Sequence, residues 1–269
     1  MKGLLAGIDS TMVRKALRDP RRALLRLVLR SRLSRTGVET ERARLLRFLS
    51  LRYDLDAVSL LEEYRHSRFL DWFRTRRAAL ERFSGPYRLG TTGEFGCEAL
   101  YLLVRAARPR TVVETGVLYG ASSAHILAAL ARNGGGELFS VELGRDPREP
   151  SHDHFVPEEL RTRWRLIIGD SRQVLPRLLD GCASIDMFYH DSLHTFDHMT
   201  WEFATALPHL SPSGVLASDD VLNPPSVAGI FRPGAFPAFC GERGVFHTTF
   251  HNLGVALPAV AAQAGEHAA

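Results

Sequence analysis

The chain has 269 residues and a mass of 30.0 kDa, with 45% hydrophobic and 24% charged residues, so it carries enough apolar material for a large core and is neither disordered nor fibrous. Its longest apolar runs, such as ALLRLVLR and RLIIG, are short or broken by arginine, well under the roughly 18 residues of a spanning helix, and MKGLLAGIDST has no apolar signal segment; a cytoplasmic protein with no membrane partner is expected. The formal charge of +4 hides two unlike parts: residues 1–110 hold 24 Lys+Arg against 12 Asp+Glu, net +12, while residues 111–269 hold 10 against 18, net −8.

The first element in chain order is MVRKALRDPRRALLRLVLRSRLSR, whose leucines among arginines fit an amphipathic helix interrupted near Pro20. Such a helix could meet nucleic acid, an anionic surface or an acidic partner, or could form a basic cap at the acidic C-terminal part or at a subunit interface. From Leu51 to Phe83 apolar and aromatic residues recur every three or four positions, and the helical pattern runs on. SGPYRLGTTGEFG then breaks it and marks a boundary, and CEALYLLVRAARP predicts another helix. The expected organisation is a basic helical region over 1–84 acting as cap or interface, an α/β domain over 85–260, and a flexible tail over 261–269.

From Thr111 the period changes. TVVETGV, ELFSVEL, RLIIGD, SIDMFYHD and GVLASDD are short apolar runs of the kind that form strands buried on both faces. Helices fit between them at SSAHILAALAR, near VPEELRTR, at RQVLPRLL, and from Thr195 to Leu210. This alternation predicts right-handed crossovers and a Rossmann-like, doubly wound parallel sheet. VFHTTF and GVALPAV, around a turn at Asn252 to Gly254, add a terminal hairpin, which makes a seven-stranded mixed sheet with the last strand antiparallel. Cys97, Cys182 and Cys240 are too scattered for a disulfide framework or a clustered zinc or redox motif.

In an open sheet of this kind ligands gather outside the carboxyl ends of the strands. Those ends carry Glu114 through Gly120, Glu142, Asp170 with Ser171, Asp191 through His194, and Asp219 with Asp220. In the first turn, ETGVLYGASS, Gly116 and Gly120 permit tight bending and close approach of a ligand, while Ser122 and Ser123 stand at a helix N-terminus suited to an anion. The glycines are four apart, so the turn is not the G-x-G-x-x-G dinucleotide fingerprint. Glu142 could accept from two ribose hydroxyls, and Asp170 or Ser171 could meet an adenine edge or merely cap the next helix.

ETGVLYGASS, VEL, GDSRQVLP, HDSLHTF and ASDDV occur in the order and at the spacing of class I S-adenosylmethionine-dependent methyltransferases. More narrowly the chain resembles methyltransferase family 24, the branch related to catechol-type and macrocin-type O-methyltransferases, over roughly Thr91 to Pro258. The resemblance implies that Glu114, Gly116, Gly120 and Ser122 hold the methionine part of the cofactor, with Thr92 and Gly93 in the segment that covers it. It places Glu142 at the ribose, Asp170 and Ser171 at the adenine edge, and Asp191, Asp219 and Asp220 as metal ligands. His194 stands three residues after Asp191, where the catechol type has a catalytic lysine and many family members a histidine. Tyr119, inside the turn, is a further candidate cofactor contact, and Asp191 serves both cofactor and catalysis.

The chemistry agrees for an independent reason. Three carboxylates at adjacent strand ends repel one another and stay ionised only beside a cation or strong donors. Oxygen ligands favour hard ions, Mg²⁺ first, with Mn²⁺ or Ca²⁺ as alternatives, and such an ion would acidify an acceptor hydroxyl whose proton His194 could take. Structural alternatives stand beside this: Asp191 could cap the helix near Thr195, and Asp219 or Asp220 could pair with Arg232. REPSHDHFVP, with His152 and His154, reads as a solvated loop or mobile lid, and His190 as lining the fourth strand. The function expected is methyl transfer from S-adenosylmethionine to a hydroxyl of a small-molecule acceptor, in natural-product tailoring, by a homo-oligomer, as a dimer, with nucleic acid an unfavoured partner. The alternatives are an N- or carboxyl-methyltransferase without metal, and an RNA-binding or RNA-modifying protein using the basic region.

Overall fold

The structure, a computed structural model, describes residues 35–80, 91–144, 150–221 and 234–258. The expected basic helix before residue 35, the tail over 261–269 and Arg232 lie outside the described residues, as does most of the Gly/Pro-rich break. Three helices come first: α1 (Arg35–Tyr53), α2 (Ala57–Arg65) and α3 (Arg68–Leu80). The helical run expected from Leu51 is therefore interrupted twice, and short polar side chains interrupt it. Asp54 turns the chain at φ +50, and Asp56 caps α2 by accepting the N–H groups of Val58 and Ser59 at 3.0 and 3.3 Å. Ser67 does the same for α3, accepting from Leu70 N–H at 3.2 Å while its hydroxyl donates to the Tyr64 carbonyl.

After α4 (Glu94–Ala107) the chain alternates as its period requires: β1 (Thr111–Thr115), α5 (Ala121–Arg132), β2 (Glu137–Glu142), a 3₁₀ turn at Glu158–Arg163, β3 (Trp164–Ile168), α6 (Ser171–Asp180), β4 (Ile185–His190), α7 (Phe196–Ala206) and β5 (Leu210–Ser218). The helix expected to reach Leu210 stops at Ala206 and tightens into one 3₁₀ turn, because Pro208 has no N–H to continue it. A last helix, α8 (Ala235–Glu242), leads into the hairpin β6 (Phe246–Phe250) and β7 (Leu253–Leu257). The seven strands lie in the order β3-β2-β1-β4-β5-β7-β6, with β7 antiparallel to both neighbours and the other pairs parallel.

Strand alternation divides the interior into two layers. Val112, Met187, Tyr189, Val215 and Ala217 face one layer; Val113, Phe188 and Leu216 face the other, with Phe203, Phe236 and Phe239 from α7 and α8. The first layer is continuous with α1 to α4, through Leu45, Leu49, Leu61, Phe73 and Leu100. None of the described helices is long and apolar enough to cross a membrane.

The ladder also lines up the residues just past the strand ends. Asp191 N–H donates to Thr115 O, Asp219 N–H to His190 O and Gly169 N–H to Glu142 O, each at 2.8 Å. Backbone pairing thus puts distant acids on one rim.

Leu49 on α1 is fully buried in the layer shared with the sheet. Leu49→Ala is expected to lower stability by about 2–5 kcal/mol in a single cooperative transition. A thermal melt that splits into two steps, with the second unmoved, would show that α1 contributes nothing to the sheet's core.

Candidate active site

A cavity of about 450 Å³ opens at the carboxyl ends of β1 to β4, within the size range of small-ligand sites. Thr92, Gly116, Glu142, Asp170, Ser171 and Asp191 all line it, so six of the residues singled out in the sequence come together in one wall. Thr91, Val117, Leu118, Leu143, Ser192 and His198 complete much of the rest.

The turn after β1 is held open by its own chain. Gly116 has φ +82, and a Cβ there would lie 2.1 Å from the carbonyl oxygen of Asp191; Gly120 has φ +80, and its Cβ would lie 2.5 Å from the His152 carbonyl oxygen. Both glycines are thus required by backbone packing whether or not a ligand approaches. Between them Leu118 is held at φ +49, a conformation a leucine rarely adopts. Glu142 supports it, accepting the N–H groups of Val117 and Leu118 at 2.7 and 2.8 Å, while His152 Nδ1 meets the Leu118 carbonyl at 2.6 Å. Asp170 caps α6 through Arg172 N–H at 2.9 Å and lines the cavity as well, so the two roles weighed for it coexist.

Five of the expected cofactor contacts lie outside the cavity wall, Gly120 among them, where it packs against the His152 backbone. Glu114 points away from the cavity into a fully buried site, where Ser122, Ser123 and Ser140 donate to it at 2.5, 2.6 and 2.7 Å. Trp164 Nε1 donates in turn to Ser140 Oγ at 2.9 Å. Burial pushes the Glu114 carboxyl up to about 7, against the pull of the three hydroxyls. Its work is to tie β1, β2 and α5 together. The Ser122 hydroxyl is spent on that site and is 2% exposed as a residue. Tyr119 is buried in the core layer, and Gly93 caps α4 outside the cavity wall. The segment with His152 and His154 is likewise packed rather than solvated: Phe155 and Val156 are buried, and burial lowers the pKa of His154.

The acidic rim lies beside the cavity. Asp191 Oδ2 accepts from Thr92 Oγ1 at 3.0 Å, and His194 Nε2 stands 3.5 Å from both Asp191 Oδ1 and Asp220 Oδ2. Asp220, at φ +55, also accepts from Asn252 Nδ2. Burial raises the Asp191 carboxyl, which His194 and Thr92 only partly offset. Asp219 is pushed well above the usual carboxylate range by burial and then by the charges of Asp191 and Asp220. His194 would be lowered by burial, but its bond to Asp191 and the surrounding acids outweigh this and raise it. Among the described residues no three His, Cys, Asp or Glu side chains already form a metal cage. What the rim has is oxygen donors and a shortage of positive charge.

Two residues of the site, Glu202 and the cavity-lining His198, are not among those singled out in the sequence. Glu202, on α7, is fully buried and accepts from Thr115, His190, His198 and Ser192. His190, expected only to line β4, hydrogen-bonds to it through Nδ1 at 2.6 Å. The readable signal was a His and a Glu four apart, His198 and Glu202, on a helix face otherwise apolar.

Strand order, glycine turn and acidic rim are those of the Rossmann-like methyltransferase fold. Residues 113–221 match the family described as a methyltransferase domain, methyltransferase family 24. No curated protein matches the chain. Among solved structures it is similar to the O-methyltransferase TomG from Streptomyces achromogenes, at a TM-score of 0.54 and 22% identity over 72% of this chain and 90% of that one. It is also similar to the O-methyltransferase from Bacillus cereus, with a TM-score of 0.52 and 18% identity over 71% of this chain and 91% of that one. A methyltransferase from Geobacter sulfurreducens gives 0.52 and 19%, over 68% of this chain and 88% of that one. At these identities the likeness carries the fold.

Because the folded-state pKa of Glu114, about 7, lies above the ordinary 4.5, the native state keeps a proton that the unfolded chain releases. Stability therefore falls as pH rises through that window, by up to about 3 kcal/mol. Glu114→Gln cannot ionise, so its melting temperature is expected to gain on the wild type between pH 5 and pH 8. A difference between the two proteins that stays constant with pH would be the contrary result.

Proposed function

We propose that the cavity binds S-adenosylmethionine and that the domain transfers its methyl group to a hydroxyl oxygen of a small molecule. The observation that carries this is the cavity wall itself, in which an acid at the end of β2 and an acid at the end of β4 face the same space. Glu142 suits ribose hydroxyls, Asp170 and Ser171 an adenine edge, and Asp191 with Thr92 the charged end near the sulfonium. TomG, solved with S-adenosylmethionine and involved in tomaymycin synthesis, and the Bacillus cereus enzyme, solved with S-adenosylhomocysteine, lend support to the cofactor and to an acceptor of natural-product type. When bound, the cofactor supplies an electrophilic methyl on a positively charged sulfur.

The chain's own residues supply positioning and a base. Neutral His194, with Nε2 directed at the space between Asp191 and Asp220, takes the proton of the acceptor hydroxyl as the oxygen attacks the methyl carbon. The bound cofactor would supply the methyl in a single displacement, its carbon–sulfur bond giving way as the new carbon–oxygen bond forms, and positioning of the two reactants by the wall residues would account for much of the rate. We extend the proposal to a hard divalent cation, Mg²⁺ first. The fit rests on the donor set: Asp191, Asp219 and Asp220 offer oxygens only, the kind a hard cation prefers. These three would hold the ion, which would favour the acceptor's oxyanion.

Calorimetry with S-adenosylhomocysteine is expected to give saturable binding that Glu142→Ala weakens about tenfold or more, through lost hydrogen bonds and a loosened turn. With isotopically labelled donor and a panel of hydroxylated metabolites, His194→Ala is expected to lose about 10²–10⁴ of the rate, together with the acidic limb of the pH profile. If turnover survives EDTA and Asp219→Ala unchanged, the cation has no part in it. Absence of S-adenosylhomocysteine binding would remove the whole reading.

A further inference from the structure

Glu202 takes no part in the proposed transfer, yet it is a carboxylate buried completely inside the domain, a placement that is costly unless its oxygens are fully used. They are. Oε2 accepts from Thr115 Oγ1 at 2.5 Å and His190 Nδ1 at 2.6 Å, both on the central strands. Oε1 accepts from His198 Nε2 at 2.9 Å and Ser192 Oγ at 3.0 Å, both in the wall of the cavity. His198 Nε2 in turn stands 3.2 Å from the hydroxyl of Ser171, a third wall residue, at the start of α6. One oxygen is therefore fastened to the sheet and the other to the wall.

We propose that Glu202 is a positioning residue for the cofactor, fixing through His198 and Ser192 the side of the cavity on which Ser171 stands. The inference rests on the reading of the cavity as the S-adenosylmethionine site. Its logic is geometric. β1 and β4 are rigid because they are central strands, whereas Ser192 lies on the connection between β4 and α7, and nothing in a loop's backbone fixes its side chains. A carboxylate that reaches from the strands to both wall residues passes the rigidity of the sheet to the binding surface. Ordinary core packing around α7 does not need this, since Met199, Phe203 and Ala206 already bury the helix on the second layer.

Glu202→Gln keeps the volume but turns an amide N–H₂ toward one of the two donor pairs. In the full-length protein, the dissociation constant for S-adenosylhomocysteine and the KM for the methyl donor are expected to rise about tenfold, while kcat falls by less. His198→Phe, which keeps a ring and removes both nitrogens, is expected to act in the same direction. The double variant should be no worse than the worse single one, because both act through one contact. A purely structural role would instead lower the melting temperature and leave donor affinity of the folded fraction alone. Should Glu202→Gln not fold, His198→Phe decides by itself. Wild-type affinity in either folded variant, or losses that multiply in the double variant, would overturn the inference. Failure of the wild type to bind S-adenosylhomocysteine is a separate outcome: it overturns the reading of the cavity, and this inference falls with it.

Discussion

Crowding of negative charge at the carboxyl edge of one parallel sheet is the constraint around which this domain is built. Glu114, Glu142, Asp191, Glu202, Asp219 and Asp220 all gather at or just beneath that edge, and the backbone ladder that aligns the strand ends leaves them no room to disperse. Each carboxylate is stabilised by a different means. Glu114 takes three serine hydroxyls, Glu142 takes backbone amides of the glycine turn, and Glu202 takes two histidines and two hydroxyls. The consequences for protonation follow the donors. Neutral hydroxyls leave Glu114 raised, whereas burial alone would raise Glu202 too, yet its histidines hold it well below the carboxylate range.

The same donors decide where the domain is rigid. Glu114 ties β1 and β2 to the first turn of α5, and Glu142 ties the end of β2 to the strained Leu118 of the turn after β1. His152 closes that turn from the other side, and Phe155 beside it packs against Phe73 of α3, with ring centroids 4.9 Å apart. A chain of contacts thus runs from the helices before the sheet to the floor of the cavity. In these terms α1 to α3 are part of the wall's support, since the core layer they complete lies directly behind it.

Much of this was legible in the sequence. Five apolar runs with helical spacers specify the parallel sheet, because a strand covered on both faces has no polar side to betray its register. The strand-end acids could be named because the fold, once inferred, dictates where ligands collect. What could not be read was direction. Glu114 sits at a strand end beside a glycine turn, as a ligand contact would, but pleating sends its side chain inward, where Ser140 on the neighbouring strand and two serines of α5 meet it. Tyr119 follows the same reasoning, its turn position suggesting contact and its bulk favouring the core. Glu202 was hidden for the opposite reason. It lies mid-helix, in sequence well past the end of β4, and its four donors are scattered from Thr115 to His198, so only the folded chain assembles them.

Ranking the rim by how well each acid is satisfied separates scaffold from chemistry. Glu114 and Glu202 have their donors inside the protein and are closed to solvent, so what they do is complete in the folded chain. Glu142 and Asp191 have protein donors but also border the cavity, and so retain lone pairs for something bound there. Asp219 is at the far end of the series: burial and two neighbouring carboxylates raise it well above its ordinary range, and the nearby His194 imidazole stands between Asp191 and Asp220. Asp219 is therefore the least satisfied acid of the rim, beside a cavity wall that combines acids from two strands. The sulfonium and the hard cation proposed above would each bring a positive partner to that stretch of the rim.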